Sequence, residues 1–412
     1  MIDRRTFTTL VAGAVAAPGL AWTQELKGKT VYYASIGPAL TLYDLDGDTL
    51  VKRSTVAVPA NIQYAWPHPS RKFLYIVSSN GGPAVAGDKH YANALRIDPS
   101  TGALTLHGEP QMLPSRPIHT SVDQAGQYLL IAYNDPSSLT VHRLKDDGTI
   151  GERVNQPNKL ETGIYAHQIR AVPANDMVIL ITRGNNPESG KPEDPGGIKT
   201  FSFKNGILTQ LASIAPGNGL GFGPRHLDFH PTKPWVFVSI ERQNKLYVYK
   251  LDQTTGLTRD PLFVKDTLLD PKTKFTQGAG PIHVHPNGRF VYQTNRASSV
   301  TDFEGQKVFA GGENSMVVWS IDQETGEPTR IQNIDGHGVQ LRTFGIDPGG
   351  HLLVAASVVP IKVREGAGVG TLSAGLSVYR VGTDGKLDFA RKYDVDATNQ
   401  SQQFWSGMVT LA

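Results

Sequence analysis

The sequence predicts an all-β fold: a seven-bladed β-propeller whose ring is closed by strands from the N- and C-terminal ends. Three observations lead there. A unit of about 50–60 residues recurs six times along the 412-residue chain. Within each unit apolar and polar residues alternate, as in Lys245-Leu246-Tyr247-Val248-Tyr249, which is the period of a strand rather than a helix. Turn formers such as Asp347-Pro348-Gly349-Gly350 and Pro286-Asn287-Gly288 punctuate these runs. A four-stranded unit repeating every ~40–50 residues is the mark of a propeller blade.

Taken in order, the chain begins with Arg4-Arg5-Thr6-Phe7, a twin-arginine pair, then an apolar run from Leu10 to Ala17 and the small-residue stretch Pro18-Gly19-Leu20-Ala21. The run falls short of the ~20 residues that span a bilayer. It reads as an export signal over residues 1–21, with the mature propeller over 22–412 working in a periplasm. Val31-Tyr32-Tyr33-Ala34 and Leu40 to Asp44 then match the second and third strands of a blade, and Leu50 to Val58 its fourth. The missing first strand is supplied by Met408-Val409-Thr410-Leu411, which removes the open edge that a partial ring would leave.

The six clear copies each run from a turn into one apolar strand and then a second alternating one. They cover 68–77 with 94–98, 123–132 with 139–144, 172–180 with 198–201, 230–238 with 245–249, 285–292 with 316–319, and 347–355 with 376–379. Four copies carry long Gly-rich insertions between their second and third strands: Gly81 to Tyr91, Gly184 to Gly197, Ala297 to Asn314 and Val359 to Ala374. Loops of that length are expected to build a functional rim.

The first strand of a blade faces the central channel, and histidine recurs there at His119, His167, His226 and His283. The intervals follow the blade repeat, so the four are expected at one equivalent ring position. Three readings of them compete: hydrogen bonds bridging neighbouring blades, a metal site, or acid–base chemistry. No His-x-His or His-x3-His pair with suitable acidic partners lies on these strands, so no metal and no cofactor are expected. His285 belongs to a different position, the turn anchor that His68 and His230 also fill.

Three stretches carry a family resemblance: Gly223-Pro224-Arg225-His226-Leu227-Asp228-Phe229-His230-Pro231, Pro281-Ile282-His283-Val284-His285-Pro286-Asn287-Gly288, and Arg342-Thr343-Phe344-Gly345-Ile346-Asp347-Pro348. The chain resembles the seven-bladed lactonase family, which includes the propeller-type 6-phosphogluconolactonase and the fungal 3-carboxy-cis,cis-muconate lactonizing enzyme. The likeness runs from Val31 to Leu411. It implies an active site of one histidine, two arginines and a glutamate at the channel mouth, matched here by His167, Arg225, Arg296 and Glu241. The surroundings depart from the family pattern, since Gln168-Ile169-Arg170 follow the first histidine and the insertions differ.

The residues support the same chemistry. Two guanidinium groups suit a carboxylate, a phosphate or a developing oxyanion. Glu241 is expected as the base, and His167 as the group that activates water or protonates the leaving alkoxide. Arg225 departs from the repeat, where Ile118 and Ile282 are expected at its position, so the repeat alone does not explain it. The competing structural reading is a plain Arg–Glu pair. No Gly-x-Ser-x-Gly elbow is present, so no covalent step is expected.

The expected function is therefore an exported, metal-independent lactonase acting on a sugar-derived or related lactone. Its rivals are a cycloisomerase on an unsaturated dicarboxylate and a non-catalytic binding propeller. A formal charge of +3 without a Lys/Arg stripe excludes a nucleic-acid partner, and the absence of cysteine excludes disulfides and thiol chemistry. The expected partner is a small-molecule lactone or carboxylate; no membrane anchoring is expected once the signal is removed, and a monomer is favoured.

Overall fold

A computed structural model describes residues 28–82 and 85–412. The expected export signal lies outside the described residues. The chain forms seven antiparallel sheets of four or five strands, plus two separate two-stranded hairpins. Blade 1 combines Thr30–Ile36, Ala39–Asp46 and Thr49–Ala57 with the C-terminal strand Ser406–Thr410 as its innermost member. The register Val31↔Val409, Tyr32↔Met408 and Tyr33↔Gly407 joins the two chain ends, which is the ring closure expected from the sequence. Blades 2 to 7 follow in chain order, with innermost strands Ile62–Pro67, Pro117–Val122, Ala166–Ala171, Pro224–Phe229, Gly278–Val284 and Leu341–Ile346.

The second strand of each blade is an apolar run buried on both faces, such as Leu129 to Tyr133 or Val236 to Ile240. Its β-branched and aromatic side chains fill the wedge between neighbouring blades, which is why these strands read as continuous rather than alternating. The turn-anchoring histidines tie adjacent blades together. Nε2 of His68, His230 and His285 bonds the carbonyl oxygens of Gly126, Gly288 and Gly350, each at 2.9 Å, and each carbonyl belongs to the following blade. Two of the channel histidines bridge blades as well: His119 Nδ1 accepts from the Ile169 amide at 3.5 Å, and His283 Nδ1 lies 3.5 Å from Asp228 Oδ2.

The innermost strands share one irregularity that positions the site. In blades 2 to 7 each inner strand carries one extra residue opposite its partner, a β-bulge close to its beginning. In blade 5, for example, Pro224 faces Ile240 and His226 faces Ser239, so Arg225 is the extra residue. A bulge re-aims a side chain and ends regular pairing. Its occupants are Gln63, Ile118, His167, Arg225 and Arg342 in blades 2, 3, 4, 5 and 7. In an antiparallel sheet the beginning of the inner strand, the end of the second strand and the second-to-third loop lie at one end. All four insertions therefore surround the mouth where the bulges open. Two of them fold into hairpins, Val300–Phe303 with Gln306–Phe309 and Ile361–Glu365 with Gly368–Leu372. A 2.7 Å bond from Lys362 Nζ to Gln306 Oε1 joins these hairpins at the rim.

Candidate active site at the channel mouth

The register places the four histidines in three different layers, not at one equivalent position. His167 occupies the bulge. His119 and His226 come one step deeper, opposite the fifth residue of the second strand. His283 is deeper again, opposite Tyr292, level with Asp228 opposite Phe237 and Arg170 opposite Ile179. The same register puts Ile118 level with Arg225, as expected, but Ile282 two residues deeper than the bulge. Spacing along the chain conceals these shifts because the loops between blades differ in length by a few residues.

At the mouth, Arg225 and Arg296 converge on Glu241. Arg225 Nη1 donates to Glu241 Oε2 at 3.0 Å, and Arg296 Nη2 donates to Glu241 Oε1 at 2.8 Å. Arg225 is the bulge residue of blade 5, Glu241 follows the second strand of the same blade, and Arg296 ends the second strand of blade 6. The Glu241 amide donates to Gly223 O and its carbonyl accepts from the Ala279 amide, so its backbone spans the two blades. Gly280 leaves the passage that Arg296 needs: a Cβ there would lie 1.9 Å from Thr294 Oγ1 and 3.0 Å from Arg296 Cδ.

The electrostatics separate the roles of the four expected residues. Burial alone would raise the Glu241 carboxyl's pKa, but the guanidinium groups of Arg225 and Arg296 outweigh it and hold the carboxyl well below its usual range. A carboxylate stabilised this strongly is a weak base. His167 is shifted in the same direction, which here leaves a neutral ring. Burial, reinforced by the charges of Arg225, Arg183 and Arg342, lowers its pKa well below the ordinary value, so the ring is neutral at neutral pH. Its Nδ1 is buried and has no hydrogen-bond partner among the described residues, and the same holds for Nε of Arg225 and of Arg296. Burial and the nearby Arg225 bring the pKa of Arg296 down to about 10.

Beneath this layer the channel is closed by aromatic rings from separate blades. Tyr64 and His119 lie 4.0 Å apart with their rings tilted by 38°, His167 and His226 meet edge to face at 5.0 Å, and His119 lies 6.3 Å from His226. Burial also keeps His119 and His226 neutral. Deeper still, Asp228 pairs with Arg170 at 3.3 Å and with His283 Nδ1 at 3.5 Å. So His119 and His226 line the channel next to the site, whereas His283 is part of this lower ion cluster.

Sequence reasoning missed four groups at the mouth. Arg183 follows the second strand of blade 4, level with Glu241 and Arg296, and its guanidinium covers the Tyr165 ring at 4.1 Å. Arg342 fills the same bulge as His167 and Arg225. Arg116 directs Nε and Nη2 onto Gln63 Oε1 at 3.0 and 2.8 Å. Tyr165 stands at φ +58°, a strained backbone for a bulky residue, with its ring stacked on His167 at 6.2 Å. The signal for Arg183 and Arg342 was present in the repeat, at positions aligned with residues already singled out. Two hollows that share Asn186 open here: one of about 190 Å³ holding Arg183, Glu241 and Arg296, and one of about 710 Å³ holding Arg116 and Tyr165. Another hollow, of about 860 Å³, lies outside this ring beside Lys199 and Glu161 and holds none of these arginines.

A seven-bladed propeller with an arginine-rich mouth around one carboxylate defines the class, and sequence comparison agrees. Residues 27–358 match the family described as "Lactonase, 7-bladed beta-propeller". The chain belongs to that family. It is 26% identical over 324 residues to a 6-phosphogluconolactonase of Bacillus subtilis, covering 76% of this chain and 82% of that protein. It is 28% identical over 318 residues to a 6-phosphogluconolactonase of an Enterobacter species, covering 75% and 80%. Among solved structures, a periplasmic gluconolactonase of Pseudomonas aeruginosa superimposes with TM-score 0.68 at 19% identity, covering 92% of this chain and 100% of that one.

Proposed function

We propose that this chain is an exported lactonase that opens a sugar-derived lactone at the channel mouth. The observation that carries this reading is the pairing of a neutral, unpartnered His167 with two arginines that one carboxylate holds in place. His167 removes a proton from water, and the hydroxyl oxygen attacks the ring carbonyl carbon. Arg225 and Arg296 stabilise the negative charge that develops on the carbonyl oxygen. The ring C–O bond then breaks, and protonated His167 returns its proton to the leaving alkoxide, giving a hydroxy acid. Glu241 acts as a positioning residue that orients both guanidinium groups and offsets their charge. This moves the base from Glu241 to His167, because both Glu241 oxygens are engaged by the arginines whereas His167 Nδ1 has no partner among the described residues.

The family and the 6-phosphogluconolactonase relatives support lactone hydrolysis. Export rests on the Arg4-Arg5 signal, and a periplasmic location favours a non-phosphorylated sugar lactone as substrate. Among the described residues no three His, Asp or Glu side chains gather as a metal would require, and none of the proposed steps uses one. A pH-stat assay of the mature protein over a panel of lactones, with and without chelator, tests the reading. Chelator-insensitive release of acid is the expected result, and inactivity on every lactone overturns it. Cyclisation of an unsaturated dicarboxylate is the second reading, favoured by the excess of arginine at the mouth. It predicts muconate-type turnover instead.

A further inference from the structure

The rim of the mouth is uneven. Blades 2, 4, 6 and 7 carry the long insertions between second and third strands, whereas blade 3 joins those strands by the two-residue turn between Asn134 and Ser137. Over blade 3 this leaves a gap between two walls. Ala86 of the blade 2 insertion stands on one side, Asn186 and Glu188 of the blade 4 insertion on the other, and Asn134 and Asp135 of the short turn lie between them. This gap is the hollow of about 710 Å³ that also holds Arg116 and Tyr165.

Three observations turn this groove into a subsite. The first is size. The hollow at Glu241 and Arg296 measures about 190 Å³, less than the ~300–1,000 Å³ of most small-molecule sites. The groove lies within that range, and the two meet at Asn186, which lines both. The second is charge. In the smaller hollow Arg183, Arg242 and Arg296 stand against the one carboxylate of Glu241, whereas the groove sets Arg116 and Lys191 against Asp135 and Glu188. A balanced lining gives an anion no advantage and suits a neutral group rich in hydroxyls. The third is open hydrogen-bonding capacity. Asn134 Oδ1 is buried without a partner among the described residues. Asn186 Oδ1 accepts from Arg242 Nε at 2.7 Å, which fixes the amide and leaves its Nδ2 without a partner among those residues. Arg116 commits Nε and Nη2 to Gln63, which leaves Nη1 in the same state. Tyr165 adds an aromatic ring, 6.2 Å from His167. Amide donors and acceptors beside an aromatic ring match the alternating hydroxyls and C–H faces of a sugar.

We propose that the groove over blade 3 is a subsite for a neutral glycosyl group, so that the preferred substrate is the lactone at the oxidised end of a disaccharide rather than that of a single sugar. The lactone ring occupies the mouth beside His167, and its glycosidic substituent runs past Asn186 towards Asn134 and Ala86. The inference rests on the lactonase reading for where the ring carbonyl sits. Binding of the open-chain acids separates the two ideas, because it requires no turnover.

Gluconate, lactobionate and maltobionate each carry one carboxylate, so comparing them and their lactones reads the second ring alone. In steady-state kinetics of the mature protein the better of the two disaccharide lactones is expected to exceed gluconolactone about 10–100-fold in kcat/KM, the worth of two hydrogen bonds. Ala86 is exposed, so Ala86→Trp fills the groove without disturbing the core. It is expected to bring the disaccharide lactones down to the level of gluconolactone, whose own turnover stays within about twofold. Asn134→Ala is expected to remove part of the preference, about 3–10-fold. Disaccharide lactones no better than gluconolactone, or a preference undiminished in both folded variants, overturn the proposal. Calorimetric titration with the three acids is expected to show the same order of affinity. If no lactone is hydrolysed while lactobionate or maltobionate binds more tightly than gluconate and Ala86→Trp abolishes the difference, the catalytic reading falls and the glycosyl subsite stands.

Discussion

The channel contains two clusters of charge that differ in one respect. In the lower layer, Asp228 meets Arg170, His283 and the Val284 amide, which donates at 2.9 Å. Arg170 in turn covers the Trp66 ring at 4.4 Å. Cation, anion and histidine answer one another there. At the mouth, Arg225 and Arg296 share the Glu241 carboxylate, and Nε of Arg225, Nε of Arg296 and Nδ1 of His167 are buried without partners among the described residues. The lower cluster is built from inner-strand residues, and the upper one joins inner-strand bulge residues to residues at the ends of second strands. The lower one spends its charges on itself, while the upper one leaves them for something that enters. Perturbed and unmatched groups in a cleft mark a site, and matched ones mark a scaffold.

The most forceful way to break this comparison is to remove the upper groups. His167→Ala is expected to lower kcat by about 10²–10⁴, the worth of a general base. Arg225→Ala is expected to lower it by about 10²–10³, the worth of an oxyanion donor. Glu241→Gln frees both arginines to wander and is expected to abolish measurable turnover while circular dichroism remains that of the folded protein. Full activity in folded Glu241→Gln and Arg225→Ala would return the cluster to the plain structural pair. Gly280→Ala tests the same geometry from behind, since its methyl group collides with Thr294 and crowds Arg296. Steady-state kinetics are expected to show a fall in kcat there, smaller than for Arg225→Ala.

The lower layer is expected to answer in stability instead. Asp228→Asn leaves Arg170 without its anion and costs on the order of 3 kcal/mol of unfolding free energy in denaturant titration. Activity per folded molecule is expected to stay within about twofold. A loss of kcat as large as that in Arg225→Ala would mean that the two layers are not separate.

The sequence carried the ring well. Strand alternation, the turn signals and the spacing of the copies specify seven blades, and even the ring closure by Met408 and its neighbours was readable. The family resemblance carried Glu241, Arg225, Arg296 and His167. What spacing did not reveal was depth. Loops that differ in length by a few residues offset differences in depth, so His119, His167, His226 and His283 follow the blade spacing although they occupy three layers. Arg342 lies in the Arg342-Thr343-Phe344-Gly345 stretch that carries the family resemblance, and only pairing of Leu341 with Ser357 and Thr343 with Ala356 shows that it shares a slot with His167. Arg183 follows its strand by one residue, as Glu241 does, and only the strand ends show that the two are level.

The gentlest test uses pH. His167 must be neutral to act as base, and burial with Arg225, Arg183 and Arg342 lowers its pKa. The acid limb of kcat/KM is therefore expected below the ordinary histidine value of about 6.5. Arg183→Gln removes one of those charges and is expected to move that limb upward, which a purely structural arginine would not do. Stability has a matching sign. His119, His167 and His226 all bind protons less readily in the folded state than in the unfolded chain. Their stabilising contribution is complete above the unfolded value and is lost as pH falls below it, by up to about 1.4 kcal/mol per histidine per pH unit. Melting temperatures measured from pH 7.5 to 5 are thus expected to decline, with the slope reduced in His119→Gln. A melting temperature that rises on acidification would mean that these rings gain protons on folding, and the neutral base assigned to the mouth would fall with it.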